Sequence, residues 1–134
     1  LLPRAIASGP DQSAVNGAAL KFLDEPQAAV RELRRLMGEP AIQADLFSMA
    51  ALSQWAAYFG DDALALEALL RTSRGGTNVE AWGFSLWRPV NRSVRRLPGF
   101  KALLREQGFV DYWRKSGTWN EFCQPAGAED FECR

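Results

Sequence analysis

The two cysteines of this chain, Cys123 and Cys133, are the residues whose chemistry is easiest to anticipate. Pro125 and Gly127 lie between them and favour a turn that would bring the two thiols together. A disulfide closing a loop of this size contributes on the order of 2 to 3 kcal/mol. We favour a structural disulfide, because an acidic tail with few helix signals needs a covalent tie to stay folded.

Two alternatives remain open for these cysteines. They can be independent, partly buried thiols in a reducing cytoplasm, or the two halves of a redox switch. A switch requires a thiolate stabilised by nearby cations, whereas residues 116–134 carry four acids and one arginine. The local charge therefore disfavours the switch.

A band of cations interleaved with aromatic rings occupies residues 82–115. Residues 86–115 alone carry eight Lys or Arg and two acids, and acidic zones lie on either side. Such a band can bind phosphates and stack bases. We favour the simpler interpretation, in which the rings belong to the core and the arginines form a solvated face. The band consists of Trp82, Phe84, Trp87, Arg88, Arg92, Arg95, Arg96, Lys101, Arg105, Trp113, Arg114 and Lys115.

Candidate ligand-binding residues come from this band and from one helix outside it. They are Trp87, Arg88, Arg92, Arg95, Arg96, Trp55 and Tyr58. Arg92, Arg95 and Arg96 fall on one side of a helix. An acidic tail folded over these three arginines would neutralise the band without a ligand. Trp55 and Tyr58, which lie outside the band, either line a groove or fill the core, and core packing is favoured.

Catalytic and metal chemistry have little support in the sequence. The chain has no histidine, which removes the commonest general base and the commonest zinc ligand. The pairs Asp61–Asp62 and Glu129–Asp130 suit helix starts and turns. We therefore predict no enzyme, no metal and no cofactor. An enzyme or cofactor carrier is the least favoured hypothesis, because no Gly-rich phosphate loop accompanies these residues.

The elements that would position these residues are predicted to be helices in consecutive pairs. Asp24 is a candidate helix cap, with Pro26 in the first turn. A second pair has an apolar stripe over residues 42–59, closes at Gly60 and restarts at Asp61. The stretch "WGFSLWRP" and the segment 99–108 form a looser third pair. In its second helix, Phe100, Leu103 and Leu104 are expected to point inward.

A shift of 36 residues aligns the first pair with the second and superimposes small residues on small ones. Leu52, Ser53, Ala65 and Leu69 also occupy the large, small, Ala and large positions of the tetratricopeptide pattern. Small residues there let the two helices approach closely. The predicted fold is therefore all-α, with stacked antiparallel helical hairpins forming a tetratricopeptide-like solenoid over residues 1–117 and an irregular Cys-containing cap over residues 118–134. A generic helical bundle is the alternative.

The last 50 residues carry a more specific pattern, and they resemble the C-terminal region of bacterial tetratricopeptide regulatory proteins. The tails of that family run much like "LR-x-D-P-R-F-x-x-L-x-x-x-L-G-L-x-x-Y-W", followed by a Trp, "D-F-C" and a final "F-x-C". The matching residues here are Leu97, Pro98, Phe100, Leu103, Gly108, Tyr112, Trp113, Trp119, Phe122, Cys123, Phe131 and Cys133.

In that family the tail follows a winged-helix regulator, often with a membrane span, or an adenylate-cyclase-like effector. The sequence shown contains no effector, no signal peptide and no apolar run of spanning length, so we expect a mature or excised piece. The resemblance implies a non-catalytic protein-protein interaction or sensory module, with a protein or peptide partner or self-association. An envelope-facing, periplasmic location is favoured over the cytoplasm. The alternative function is nucleic-acid or anionic-ligand binding through residues 82–115, and nucleic acid is the less favoured partner.

Overall fold

A computed structural model describes residues 10–75 and 83–134 of the chain. Five α-helices fill the first of these ranges, and short connections join them. They are α1 (Pro10–Lys21), α2 (Pro26–Met37), α3 (Pro40–Gln43), α4 (Leu46–Tyr58) and α5 (Asp62–Arg74).

The starts of these helices follow from their first residues. Pro26 and Pro40 each occupy the first turn of a helix, where the missing N–H has no intrahelical partner to lose. Asp45 caps α4 by accepting a hydrogen bond from the N–H of Ser48, and Asp61 caps α5 in the same way. The prediction that Asp24 caps α2 is wrong, because Glu25 precedes the helix and no side chain caps it.

Two helical pairs are present, α1 with α2 and α4 with α5, and α1 also packs on α4. The most extensive contact is within the second pair. There Ser53 is buried and its hydroxyl donates to the carbonyl oxygen of Ala65 at 2.9 Å. Leu52 and Leu69 are buried beside this contact. The small residues thus allow the two helices to approach closely, as their spacing predicts.

The second described range begins with 3-10 turns rather than an α-helix. These turns span Gly83–Trp87, Pro89–Asn91 and Val94–Arg96. The expected first helix of a third pair, "WGFSLWRP", is therefore absent from residues 83–89, and Trp82 lies outside the described residues. Proline at position 89 supplies the fixed φ that suits a turn start and removes a helical donor.

Two further α-helices follow, α6 (Pro98–Glu106) and α7 (Phe109–Ser116). The predicted inward residues of α6, Phe100, Leu103 and Leu104, are fully buried. Gly99 lets α6 lie close to α5, since a Cβ at this position would come within 2.7 Å of the Leu66 side chain.

The tail folds as a hairpin, which corrects the expectation of an irregular cap. Strands β1 (Cys123–Ala126) and β2 (Asp130–Cys133) pair antiparallel around Gly127, whose φ is +84°. Pro125 lies in β1, opposite Phe131, and not in the turn. The chain is thus mostly helical with one small sheet, and Cys123 and Phe131 join the same hydrophobic core as the helices.

Candidate functional site

The outward face of α4 is the most unusual surface in the described part of the chain. None of the thirteen residues of α4 is charged. One side of the helix is buried through Met49, Leu52 and Ala56. The opposite side is also apolar, although a helix at a protein surface normally carries polar residues there.

Four residues define this face, which we call the α4 stripe: Phe47, Ala51, Gln54 and Tyr58. Phe47 is 63% exposed and Tyr58 is 59% exposed, while the two residues between them are half-buried. Eleven residues separate the two rings, which is about three helical turns, so both project from the same side of α4. The prediction that Tyr58 fills the core is therefore wrong.

The C-terminal end of the stripe is held in place by its neighbours. The indole N–H of Trp55 donates to Oδ1 of Asn16 on α1 at 2.9 Å. The ring of Trp55 stacks on Phe59 at 5.8 Å and meets the edge of Tyr58 at 5.5 Å. The half-buried Trp55 thus positions the exposed ring of Tyr58 rather than serving as an open surface itself.

The cysteines behave as predicted for a structural disulfide. Cys123 and Cys133 face each other across the two strands and are bonded. Cys123 is buried, and Cys133 is half-buried. The bond closes the base of the hairpin where it meets the core.

Arg95 is the residue that attaches this hairpin to the rest of the chain. It is 3% exposed, and its guanidinium donates to three main-chain oxygens, those of Leu86 at 3.0 Å, Arg88 at 2.9 Å and Arg134 at 2.6 Å. It also lies 4.7 Å from the centre of the Phe122 ring. Burial lowers the pKa of Arg95, and the charge of Arg92 lowers it further.

The other predicted band residues are scattered by the fold. Trp87 is half-buried against the core and stacks on Phe122 with the ring centres 5.7 Å apart and the planes 7° from parallel. Arg88 and Arg92 flank the second 3-10 turn, Arg96 ends the third, and all three side chains are exposed. Within the described ranges, Arg92 and Arg96 form no ion pair, whereas Arg95 is committed to main-chain oxygens.

The acidic tail folds back onto cations of the predicted band, but its ion pairs form with Lys101 and Arg105 and not with Arg92, Arg95 or Arg96. Lys101 lies 3.2 Å from Asp130 and 3.4 Å from Glu132, and Arg105 lies 3.6 Å from Asp130. Arg114 donates to the main-chain oxygen of Asp130. The acids of the tail therefore pair with the cations of α6, whereas Arg95 contacts the tail through the main-chain oxygen of Arg134 and the ring of Phe122.

Asp130 is the most heavily bonded acid of the tail. The N–H of Phe131 and the ammonium group of Lys101 hold the pKa of this carboxyl below its usual range. The opposite shift occurs at Asp62, where burial raises the carboxyl pKa and the neighbouring Asp61 adds to the effect. Asp61 itself caps α5 and lies 2.8 Å from Arg34, so this acidic pair is used in the fold.

The sequence interpretation named Trp55 and Tyr58 but missed Phe47, Ala51 and Gln54. The available signal was the absence of charge over the whole of α4 together with the apolar residues on both of its sides. A search for chemistry passes over such a face, because nothing on it titrates, binds metal or attacks a substrate.

No family model, curated protein or solved structure matches this chain. In residues 10–75 and 83–134, no helix has both the length and the apolarity needed to cross a membrane. The same residues bring together no group of three or more His, Cys, Asp or Glu side chains suited to hold a metal ion.

Proposed function

We propose that this chain is a non-catalytic protein-protein interaction module, and that the α4 stripe is its contact surface. One observation carries the proposal: a charge-free helix exposes Phe47 and Tyr58 on the side opposite to the core. Exposed apolar patches on folded domains commonly mark interaction sites. The rigid support of Tyr58 by Trp55 favours binding, because a ring that is already positioned loses less entropy on contact.

The module is proposed to be built from tetratricopeptide-like hairpins. The packing of Ser53 against Ala65 supports this, as does the contact between α1 and α4, the first helices of consecutive pairs. In such stacks the first helices of successive pairs line the binding surface. The α4 stripe lies on a helix of that kind.

The wider setting is also a proposal. The tail that resembles bacterial regulatory proteins suggests that the module belongs to a larger regulator. The disulfide between Cys123 and Cys133 supports an oxidising, envelope-facing location, because disulfides persist in such compartments.

The anionic-ligand alternative has weaker support. Base stacking needs open rings, and the half-buried ring of Trp87 is already stacked on Phe122. Of the four candidate arginines, Arg95 is buried and bonded to main-chain oxygens. Only surface arginines on the 3-10 turns would be left for phosphate contacts, so we do not advance this alternative.

The proposal can be tested with a library of short amphipathic helical peptides screened against the disulfide-bonded chain. We expect selected peptides to lose at least about tenfold in affinity for Phe47→Glu and for Tyr58→Glu, because each variant places a charge in the apolar contact. The measurement is fluorescence polarisation of the labelled peptide, and circular dichroism checks the fold of each variant.

The matched control is Tyr112→Glu. Tyr112 lies on α7 and is 68% exposed, so the substitution has the same chemistry on a different surface. We expect this variant to bind as well as the original chain. Peptides that bind all three variants equally, or a library that yields no binder, would contradict the proposal.

A further inference from the structure

The last strand of the chain contacts α6 in the way that a bound peptide contacts its receptor. Phe131 of β2 is fully buried, and the guanidinium of Arg105 and the ammonium group of Lys101 lie 4.9 Å and 5.7 Å from the centre of its ring. The ring of Trp119 lies 5.9 Å away. We call Lys101, Arg105 and Trp119 the α6 seat. Two cations against one aromatic ring make a favourable contact for a ligand side chain.

The acids on either side of Phe131 bind the same two cations. Lys101 pairs with both Asp130 and Glu132, and Arg105 pairs with Asp130. Each element of the pattern, the ring and its two flanking carboxylates, therefore has a partner on α6. The α6 seat fits one specific chemistry, a phenylalanine between two carboxylates, and not apolar surfaces in general.

The ion pairs at the seat are of a kind that breaks easily. The side chains of Asp130 and Glu132 are 54% and 65% exposed. Ion pairs that water reaches contribute little to stability. Residues 124–126 of β1 are exposed as well, so they add no buried contact to the helices. The covalent attachment of β2 to Cys123 therefore does much to keep the strand in the seat.

The disulfide is open to reduction from solvent. Cys123 is buried, but Cys133 is half-buried, and both line a recess of about 550 Å³. A thiolate of a dithiol reductant that enters this recess attacks the sulfur of Cys133, and Cys123 leaves as a thiolate that takes up a proton. The second thiol of the reductant then displaces Cys133. The chain gains two electrons and two protons, and the reductant becomes a disulfide.

We propose that β2 is an internal ligand of the α6 seat, and that reduction of the disulfide opens the seat to a segment of another protein with phenylalanine between carboxylates. The α6 seat and the α4 stripe lie on different helices, so this inference does not depend on the proposed function. The bond from Arg95 to residue 134 and the burial of Phe131 persist in the reduced chain. An incoming segment must therefore displace a strand that is still tethered.

The first test measures whether reduction loosens β2 in the 134-residue chain. Hydrogen exchange with and without dithiothreitol, read by mass spectrometry, reports on each element separately. We expect protection of β2 to fall at least about tenfold on reduction while α6 and α7 keep theirs, because the seat must survive without its strand. Unchanged protection of β2, or an equal loss in α6, would overturn the proposal.

The second test offers the seat a free peptide. The labelled peptide GAEDFES copies residues 127–133 with serine in place of the cysteine. In the triple variant Cys123→Ser, Cys133→Ser and Phe131→Ala, the chain's own strand lacks both its covalent tie and its ring. By fluorescence polarisation, we expect the triple variant to bind this peptide at least about tenfold more tightly than the disulfide-bonded chain does. A peptide with alanine for its phenylalanine should bind at least about tenfold more weakly.

Two charge reversals in the triple variant locate the bound peptide. Lys101→Glu removes the partner of both acids and should weaken binding at least about tenfold. Arg92→Glu is the matched control, on an exposed arginine without an ion pair in the described ranges, and should leave binding nearly unchanged. Equal losses in both would indicate general attraction to cations and overturn the proposal, as would a triple variant that is folded by circular dichroism and binds no peptide. If the triple variant does not fold, hydrogen exchange of the original chain decides.

Discussion

Residues 10–75 and residues 83–134 are stabilised in different ways. In the first range, regular helices bury apolar side chains against one another, and Leu33, Leu52 and Leu64 are fully enclosed. In the second, a disulfide joins the two strands of the hairpin, and a buried arginine binds main-chain oxygens of both the 3-10 turns and residue 134. The 3-10 turns leave main-chain oxygens that side chains must satisfy, and Arg95 binds two of these oxygens as well as that of Arg134.

The largest loss of stability is expected from a substitution in the helical core of residues 10–75. Leu52→Ala removes a fully buried side chain between the helical pairs and should lower the free energy of unfolding by about 3 to 4 kcal/mol. Urea unfolding followed by circular dichroism measures the change. Gln54→Ala, on the opposite side of the same helix in the α4 stripe, is the control and should change stability by less than about 0.5 kcal/mol. Equal losses in both variants would show that Leu52 is not a core residue.

The next largest loss of stability is expected from replacing Arg95, the buried cation of residues 83–134. Arg95→Met keeps an unbranched apolar chain but leaves the oxygens of Leu86, Arg88 and Arg134 without their donor. We expect a loss of about 3 kcal/mol. Arg92→Met, on an exposed arginine of the same segment, should be close to neutral. A small loss for Arg95→Met would mean that these oxygens find other donors.

Removing the disulfide should cause a somewhat smaller loss of stability. The double variant Cys123→Ser with Cys133→Ser should lose about 2 to 3 kcal/mol, because the unfolded chain regains the freedom of an open loop. Hydrogen exchange should show lower protection in β1 and β2 and unchanged protection in α4. Dithiothreitol should destabilise the original chain by a similar amount and leave the double variant unaffected. Uniform loss of protection across all helices would remove the distinction between the two parts.

The smallest expected loss of stability comes from replacing Asp130, and it depends on pH. The carboxyl pKa of Asp130 is lowered in the folded chain, so its contribution to stability is present above the unfolded pKa of about 3.9 and is lost as pH falls through the folded value. Asp130→Asn should therefore reduce stability at pH 7 and make almost no difference near pH 2. Urea midpoints at both values measure this. If Asp130→Asn is equally destabilising near pH 2, the loss of stability comes from packing and not from the carboxylate charge.

The same contrast explains which features could be predicted from sequence. Local signals define the helices: Asp61 caps α5, Gly60 precedes it, and the inward residues of α6 follow its helical spacing. The packing of Ser53 on Ala65 follows from residue size at two positions of the repeat pattern. These features depend on neighbours that are close in the chain, so the sequence pattern is sufficient.

The features that could not be predicted depend on distant partners. The expected helix at "WGFSLWRP" becomes 3-10 turns whose carbonyl groups are bound by Arg95 and Asn91, a solution that no local pattern indicates. The hairpin was not predicted because its strands have four residues each, and only β2 alternates exposed and buried positions, which is too short a pattern to indicate a strand. The α4 stripe was only partly identified, because its outward apolar residues resemble ordinary helix formers.

The bond between Arg95 and residue 134 also has a consequence for the order of folding during synthesis. Thirty-nine positions separate donor and acceptor, and a ribosome adding about 5 to 20 residues per second needs roughly 2 to 8 seconds to cover them. Throughout that interval the guanidinium lacks one of its oxygens, while the close-range contacts of α4 with α5 are already available. Nascent chains arrested between these positions should therefore protect the early helices from protease and leave the later segment open to cleavage.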